Sequence, residues 1–352
     1  MPPFAASWRR VSPLGWNVAI EIQTLLHNPA RPITALDLSP DGDKLALALP
    51  GLRGAAGALA LFHTRRNEVV VESASLSHAG VFGARFGRGG RTVIYGATDS
   101  RGIYEFDTLN HGRRRLELEV SDPRWIHVGG GGKLVSIAGD VTRVWDLTRQ
   151  EHVFEDAFPA RPSPDGALAG LCAVSDDGKR LAYQMTSPAQ IVLFNTETLR
   201  VLRRLTGGPR EIQSLVFDPT RRYLAALEFE TNGTFVWDLE SGLPHLPALF
   251  NAHITHNWCM RFSPDGNTLA LGMTTGFVYA VDMRTGVITF ERKLHEGRVW
   301  DLCFSRDGQE LYTAGENGAL CHVKFGADDS RSPVMRKVMP MPPGSPYLPG
   351  FE

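Results

Sequence analysis

The amino-acid sequence predicts an all-β fold, and three observations support this prediction. The chain of 352 residues contains 36 Gly and 23 Pro, which are too many turn formers for a helical protein. Its hydrophobic share of 43% is too high for a disordered chain. One local pattern also recurs along the chain: an apolar run of strand length, a turn containing Asp-Gly or a substitute, and a second apolar run.

The recurring turn sets the organisation of the chain. Clear copies are SPDG, SDDG and SRDG, and weaker copies replace the acidic residue or the glycine. Successive markers lie 48, 42, 46, 43, 45 and 42 residues apart. A period of about 44 residues suits four short antiparallel strands per repeat. The second turn residue, taken as the marker, is Gly42, Gly90, Gly132, Gly178, Arg221, Gly266 and Gly308.

The strands within each repeat follow in order. The Asp-Gly turn supplies the positive φ angles of a tight hairpin between the first and second strands. A third run ends in an aromatic or apolar residue followed by a small polar one, and a fourth, more polar run leads to the next repeat. Because one such sheet cannot bury both faces alone, we expect seven of them in a radial arrangement, a seven-bladed β-propeller. The third runs end at Phe106-Asp107, Trp145-Asp146, Phe194-Asn195, Trp237-Asp238 and Val281-Asp282.

The last repeat lacks an outer strand of its own. The segment 18–26, VAIEIQTLL, alternates in polarity and precedes the first marker, so we expect this N-terminal strand to close the last blade. The tail is Pro-rich and is expected to be disordered or draped on the propeller, with a short linear motif around Tyr347 and Leu348 as the alternative. The predicted divisions are an N-terminal tail at 1–17, the propeller at 18–325 and the C-terminal tail at 326–352.

These repeats resemble the WD-repeat (WD40) propeller family over nearly the whole chain. The SPDG turns and Trp-Asp ends carry the resemblance, together with a histidine nine positions before the end of the first strand. The family's network of His, Ser or Thr, Asp and Trp is incomplete, since the last blade offers Thr313 and Asn317 but has Val323 where Trp belongs. The structural repeat residues that the resemblance implies are His253, His295, Trp145, Asp146, Trp237 and Asp238.

Aromatic residues at equivalent places predict a binding surface. Trp258, Trp300 and Phe82 each lie four residues before the phenylalanine that ends the first strand of their repeat. In the family this region lies near the rim of the central channel, on the face that commonly binds peptides. Since Trp and Arg are enriched at binding hot spots, we predict a partner-binding patch of Trp258, Trp300, Phe82 and Arg298. The alternative is that the rings pack between blades.

Metal binding is not predicted. His253, His256 and Cys259 form H-x-x-H-x-x-C, which contains metal-ligand types. Cys259 lies in a predicted strand, where three-residue spacing sends side chains to opposite faces, and no fourth ligand is evident. We therefore expect no metal and no cofactor, and we interpret the four scattered cysteines as buried free thiols.

Catalytic residues are not predicted either. Asp37 and Asp301 lie in inner strands, and Glu228 and Glu230 lie near a loop between strands. Nothing pairs them with a histidine or a nucleophile at a recognisable spacing, and no G-x-S-x-G motif occurs. We interpret them as solvated acids.

Charge and hydropathy narrow the partner classes. With 37 Lys plus Arg against 38 Asp plus Glu, the chain has no excess of positive charge to attract a phosphate backbone. Nucleic acid is therefore not expected as a partner. The basic run at 113–115 is followed by Glu117 and Glu119 and is interpreted as a solvated turn beside an outer strand. The sequence contains no run of 18 apolar residues, so no membrane-spanning helix is predicted.

The predicted function is that of a non-catalytic scaffold. We expect a monomeric propeller within a larger cytoplasmic assembly, binding a peptide or partner domain on the face near the central channel. The alternative is a propeller-type enzyme or small-molecule sensor that uses acidic or His residues around the channel. A third hypothesis is a regulatory domain whose effector is a separate chain.

Overall fold

Strands account for all the regular structure in the described part of the chain, where no helix occurs. The computed structural model describes residues 20–28, 32–51, 57–76, 81–87, 89–97, 102–118, 125–128, 133–138, 141–147, 151–157, 172–186, 189–205, 208, 212–228, 233–249 and 257–325. These residues contain 28 strands, arranged as seven antiparallel sheets of four strands each.

Each of the first four sheets consists of four consecutive strands, with the inner strand first in the chain. Sheet 1 contains β2 (Ala35–Leu38), β3 (Lys44–Leu49), β4 (Gly57–His63) and β5 (Glu68–Leu76). Sheet 2 contains β6 (Val81–Phe86), β7 (Thr92–Ala97), β8 (Gly102–Asp107) and β9 (Arg113–Arg115). Sheet 3 contains β10 (Trp125–Val128), β11 (Lys133–Ala138), β12 (Val141–Asp146) and β13 (Glu151–Ala157). Sheet 4 contains β14 (Cys172–Val174), β15 (Arg180–Thr186), β16 (Ala189–Asn195) and β17 (Arg200–Leu205).

The remaining sheets follow the same order, except that the last one takes its outer strand from the start of the chain. Sheet 5 contains β18 (Ile212–Phe217), β19 (Tyr223–Glu228), β20 (Thr234–Asp238) and β21 (Pro244–Leu249). Sheet 6 contains β22 (Asn257–Phe262), β23 (Thr268–Met273), β24 (Phe277–Asp282) and β25 (Ile288–Lys293). Sheet 7 contains β26 (Val299–Phe304), β27 (Glu310–Gly315), β28 (Ala319–Lys324) and β1 (Glu21–His27).

The sheets stand in a closed ring. The inner strand of every sheet contacts the inner strand of the next, and β26 of sheet 7 contacts β2 of sheet 1. Apolar side chains fill the spaces between neighbouring sheets, so that Leu59 and Tyr95 share one cluster between sheets 1 and 2, and Tyr223 and Leu269 share another between sheets 5 and 6. This arrangement confirms the predicted all-β propeller class.

The N-terminal strand closes the ring as predicted. β1 pairs antiparallel with β28, with Glu21 opposite Lys324 and Gln23 opposite His322, and one irregularity falls between Thr24 and Leu26. Sheet 7 therefore joins segments from the two ends of the described chain. The strand lies at Glu21–His27, shifted slightly from the predicted segment 18–26.

Serine and aspartate organise the turn between the first two strands of four sheets. In sheet 1 the hydroxyl of Ser39 donates to Asp41 Oδ1 at 2.5 Å and accepts the N–H of Lys44 at 2.9 Å, while Asp41 Oδ1 also accepts the N–H of Asp43. The Ser39 hydroxyl and the backbone N–H of Asp43 hold the pKa of Asp41 below its usual value. Equivalent bonds join Ser175 to Asp177, Ser263 to Asp265 and Ser305 to Asp307.

At the ends of the third strands, the aromatic residue and the aspartate that follows it have different roles. Trp237 is buried between sheets 4 and 5, and its ring lies so close to the backbone of Gly208 that a methyl group there would come within 2.4 Å of it. Asp238 instead caps the following turn, since its Oδ1 accepts the N–H groups of Glu240 and Ser241. Trp145 is likewise buried, in the cluster between sheets 2 and 3.

The turn glycines provide a test of this geometry. Gly42 and Gly266 have φ angles of +78° and +72°, so alanine strains the backbone at both. A methyl group at Gly42 meets no atom within 4 Å, whereas one at Gly266 lies 2.4 Å from Asp218 Oδ1 of sheet 5. We expect Gly266→Ala to lower the free energy of unfolding by about 1–3 kcal/mol more than Gly42→Ala, measured by urea denaturation. Equal losses would contradict this contact between sheets 5 and 6.

Candidate functional site

Trp258, Trp300 and Arg298 come together at one end of sheets 6 and 7. The two indole rings meet edge to face, with centroids 5.3 Å apart and planes at 88°. The guanidinium carbon of Arg298 lies 3.9 Å from the centroid of Trp258 and 4.8 Å from that of Trp300. Both distances are within the range of cation–π attraction. We refer to these three residues as the Trp-Arg cluster.

The two tryptophans occupy matching irregularities in their strands. The register of β22 against β23 shifts between Asn257 and Cys259, and that of β26 against β27 shifts between Val299 and Asp301. Trp258 and Trp300 are the extra residues in these bulges. Because a bulge re-aims the side chain that it carries, this local feature explains how two rings from neighbouring sheets meet. The sequence shows the equivalent positions of the rings but not the bulges.

The Trp-Arg cluster is half-buried. Trp258 packs against the apolar residues between sheets 6 and 7, including Val278 and Leu311, while all three members of the cluster keep part of their surface exposed. Trp258 therefore packs between the sheets and also keeps exposed surface, so packing and partner binding do not exclude each other for this ring. Phe82, the fourth predicted residue, lies in β6 opposite Gly96, and its side chain is outside the described part of the chain.

The cluster lies on the face where the inner strands begin, which we call the loop face. The opposite face, where these strands end in the Ser-Asp turns, is the turn face. The hairpin between β27 and β28 holds the loop before β26 in place: Arg298 donates its backbone N–H to Glu316 Oε2 at 3.1 Å, and Glu316 returns its N–H to the Arg298 carbonyl at 2.8 Å. The Arg298 side chain is therefore presented by a fixed backbone.

A buried histidine supports the same loop. His295 Nε2 lies 2.7 Å from the Thr313 hydroxyl, and Nδ1 lies 3.3 Å from Asn317 Oδ1. Asn317 Oδ1 also accepts the N–H of Ala319, so we assign the imidazole proton to Nδ1, which donates to Asn317 Oδ1. The Thr313 hydroxyl then donates to Nε2. Burial lowers the His295 pKa to about 4, which keeps the ring neutral. The equivalent His253 lies outside the described residues.

Four charged side chains join the inner strands of sheets 6, 7, 1 and 2. Asp301 of sheet 7 lies between two arginines, with Oδ2 at 3.0 Å from Arg85 Nη2 and Oδ1 at 3.3 Å from Arg261 Nη2. It also accepts the N–H of Leu36 at 3.1 Å. The fourth member, Asp37, accepts the N–H of Phe86 at 2.7 Å. We call Asp37, Arg85, Arg261 and Asp301 the ring-closure network.

The ring-closure network corrects the interpretation of these acids as solvated. The Asp301 side chain is only 8% exposed. Burial opposes its ionisation, but Arg85 and Arg261, together with backbone hydrogen bonds, outweigh burial and hold its pKa below the usual value. Burial raises the pKa of Asp37, although both arginines oppose this rise. Glu228 is also buried, and Glu230 lies outside the described residues. Strand position alone did not reveal that the ring brings opposite charges together.

The structure tests the prediction for all four cysteines, and it tests the metal prediction only for the described residues. All four cysteines are buried and free, as predicted, and Cys259 Sγ donates to the Val299 carbonyl at 3.5 Å. Within the described residues, no group of three His, Cys, Asp or Glu side chains could hold a metal ion. His253 and His256 lie outside those residues.

The described part of the chain contains no helix with the length and apolar character that a membrane span requires.

Comparison with known proteins points to one family. Residues 286–322, which include the whole loop before β26, match the family model "WD domain, G-beta repeat". WD repeat-containing protein 1 from Mus musculus is 26% identical over 185 residues, covering 50% of this chain and 29% of that protein, and the Gallus gallus protein gives the same values. WD repeat-containing protein SL1-17 from Schistosoma mansoni is 30% identical over 136 residues, covering 38% of this chain and 44% of that protein. The chain therefore spans under half the length of these curated relatives.

The ring-closure network predicts a stability effect. Asp301→Asn keeps the shape of the side chain but leaves Arg85 and Arg261 facing each other without their shared anion. We expect a loss of about 3 kcal/mol in the free energy of unfolding, measured by urea denaturation. Replacing all four charges, as Asp37→Asn, Arg85→Met, Arg261→Met and Asp301→Asn, is the control and should cost less than the single change. A quadruple variant less stable than Asp301→Asn would show that the charges do not act as a unit.

His295 predicts a pH dependence. Its pKa is near 6.5 in an unfolded chain and about 4 in the folded protein, so the stability that the neutral ring provides is complete above pH 6.5 and is lost as the pH falls toward 4. When the pH falls from 7 to 5, we expect the free energy of unfolding to decrease by about 2 kcal/mol less in His295→Gln than in the wild type. Urea denaturation at both pH values measures this difference. Parallel losses in the two proteins would place the titration elsewhere.

Proposed function

Because the chain is a WD-repeat protein, we propose that it is a non-catalytic scaffold that binds a peptide or partner domain through the Trp-Arg cluster on its loop face. WD40 repeats generally mediate protein–protein interactions. The finer proposal, that this face and these residues make the contact, is carried by the cluster itself. Two tryptophans and an arginine from neighbouring sheets pack against one another and remain partly exposed.

The composition of the cluster favours protein recognition. Indole rings offer a large, stiff apolar surface, and the arginine adds donors for backbone carbonyls or carboxylates of a partner. Hot spots at protein interfaces are enriched in these residue types and are surrounded by contacts that exclude water. Since the backbone bonds between Arg298 and Glu316 already order the loop, little conformational entropy is lost when a partner binds.

No observation on the described residues favours the enzyme or small-molecule sensor. Two acids of the inner strands, Asp37 and Asp301, share Arg85 and Arg261 as neighbours. Asp301 uses both of its carboxylate oxygens in ion pairs and backbone hydrogen bonds. These groups stabilise the ring, and WD-repeat proteins are generally non-catalytic scaffolds.

The test compares partner binding by the wild type with that of two cluster variants. Trp258→Ala/Trp300→Ala removes the rings, and Arg298→Glu keeps the rings but reverses the charge. Proteins captured from a lysate of the source cells are quantified by mass spectrometry, and the main partner is then titrated in purified form. We expect each variant to bind that partner at least about tenfold more weakly, because hot-spot truncation costs that much or more.

Arg222→Ala is the matched control for this test. Arg222 also covers an aromatic ring, with its guanidinium carbon 4.9 Å from the centroid of Tyr223, but it lies beside a turn of sheet 5 on the turn face. The control should bind the partner like the wild type. All proteins are first checked for folding by thermal unfolding, since Trp258 contacts the core. A folded cluster variant with the affinity of the wild type would refute this site.

A further inference from the structure

The outer strand of sheet 4 is exposed over most of its length. In β17, the five residues from Arg200 to Arg204 are all exposed, and only Leu205 is buried. The outer strand of sheet 6 shows the usual arrangement, since β25 buries Ile288 and Phe290 on one side. Both sides of β17 therefore face solvent over most of its length.

Apolar side chains concentrate at the same place. Seven large hydrophobic side chains are exposed among the described residues, and three of them, Leu199, Val201 and Leu202, lie in or beside β17 with exposures of 54%, 46% and 49%. A fourth, Leu243, is 64% exposed and lies on the turn before the outer strand of sheet 5. Single exposed apolar residues need no explanation, but contiguous ones mark interaction surfaces.

An arginine connects the two parts of this surface. A methyl group at Gly242 would lie 2.2 Å from Arg203 Nη1, so the Arg203 side chain crosses from β17 to the turn that carries Leu243. Gly242 has a φ of +77°, and the close approach of the guanidinium is a second reason for glycine at this position. We call residues 199–204 together with Leu243 the β17 patch.

The charge of the β17 patch is positive. The strand sequence RVLRRL contains three arginines and no acidic residue. Of the acids on neighbouring turns, Glu197 pairs with Lys179 at 3.4 Å, and Asp238 lies 3.6 Å from Arg222 and caps its own turn. Glu240 is the remaining acid on the turn of sheet 5. Among the described residues of these neighbouring turns, the acids other than Glu240 are therefore already engaged, and the β17 patch keeps a positive charge.

We propose that the β17 patch is a docking surface for an acidic protein segment that also carries apolar side chains. The carboxylates of such a segment match Arg200 and Arg203, and its apolar side chains cover Val201, Leu202 and Leu243. A second copy of the chain docked through its own β17 patch would bring the same positive charge to the contact. A nucleic acid would satisfy the arginines but leave the apolar side chains against a polar phosphate backbone.

The register of β17 indicates how the segment binds. Leu202 is an extra residue in the pairing with β16, since Leu193 lies opposite Arg203 and Phe194 opposite Val201. A bulge of this kind twists an edge strand and disfavours the addition of a further strand. Side chains rather than a continuous backbone ladder are therefore the contacts that decide binding to the β17 patch.

The experiment uses the full chain and a fluorescein-labelled peptide of alternating glutamate and leucine. Fluorescence anisotropy should show saturable binding that weakens as salt is added. A peptide with lysine for glutamate, and one with serine for leucine, should each bind at least about tenfold more weakly, because each removes one of the two matched features. Arg200→Glu/Arg203→Glu in the protein should cause a loss of about the same size or more.

The matched control is Arg113→Glu/Arg114→Glu in β9, an exposed outer strand of sheet 2 with the sequence RRR. It makes the same change in total charge and should leave peptide binding within about twofold of the wild type. Leu202→Ser/Leu243→Ser tests the apolar part and should weaken binding even though the charge is unchanged. Because all of these side chains are exposed, the variants are expected to fold, and thermal unfolding verifies this.

Three results would overturn the proposal. These are equal losses for the β9 and β17 charge reversals, a serine-containing peptide that binds as tightly as the leucine-containing one, or tighter binding of the β17 patch to anionic phospholipid vesicles or DNA than to the peptide. Trp258→Ala/Trp300→Ala should bind the peptide like the wild type, which separates this surface from the loop face.

Discussion

The carboxylate of Asp301 joins the part of the ring where the first and last repeats meet. It lies between Arg85 of sheet 2 and Arg261 of sheet 6, and it accepts a backbone N–H from Leu36 of sheet 1. The apolar cluster between sheets 7 and 1 depends on the closed ring, because opening the ring there would expose both of its faces to water. Opening the ring would also separate buried opposite charges, which adds an electrostatic cost to the loss of apolar burial.

Much of the fold could be predicted from the sequence because its signals are local and periodic. Each Asp-Gly or equivalent turn fixes one hairpin, and the spacing of Gly42, Gly178, Gly266 and Gly308 fixes the four-stranded unit. The ring-closure network could not be predicted in this way. Asp37 and Asp301 stand in different repeats and at non-equivalent places, and their arginines become neighbours only when the inner strands line the ring. The interpretation of Asp301 as a solvated acid was wrong for that reason.

The candidate site was predicted in part for a similar reason. Equivalent positions in adjacent repeats indicated Trp258 and Trp300, and closeness along the chain indicated Arg298. The contact among all three depends on two strand bulges and on the bonds between Arg298 and Glu316, which no sequence pattern marks. Turn-capping aspartates, buried tryptophans and the neutral His295 serve the scaffold, whereas the Trp-Arg cluster and the β17 patch leave apolar surface in contact with water. The protein thus combines a locally encoded framework with surfaces that only the assembled ring creates.

The pairing of β1 with β28 has a consequence for how the protein is made. Thr24 and Cys321 touch across a separation of 297 residues, whereas the other six sheets consist of consecutive strands. β1 therefore leaves the ribosome before the strands of sheets 1 to 6, and it lacks its partner while those sheets form. Long-range pairing of this kind is slow to nucleate, and an unpaired strand edge invites association between chains. Until β28 has been synthesised, the edge of β1 is open to such association.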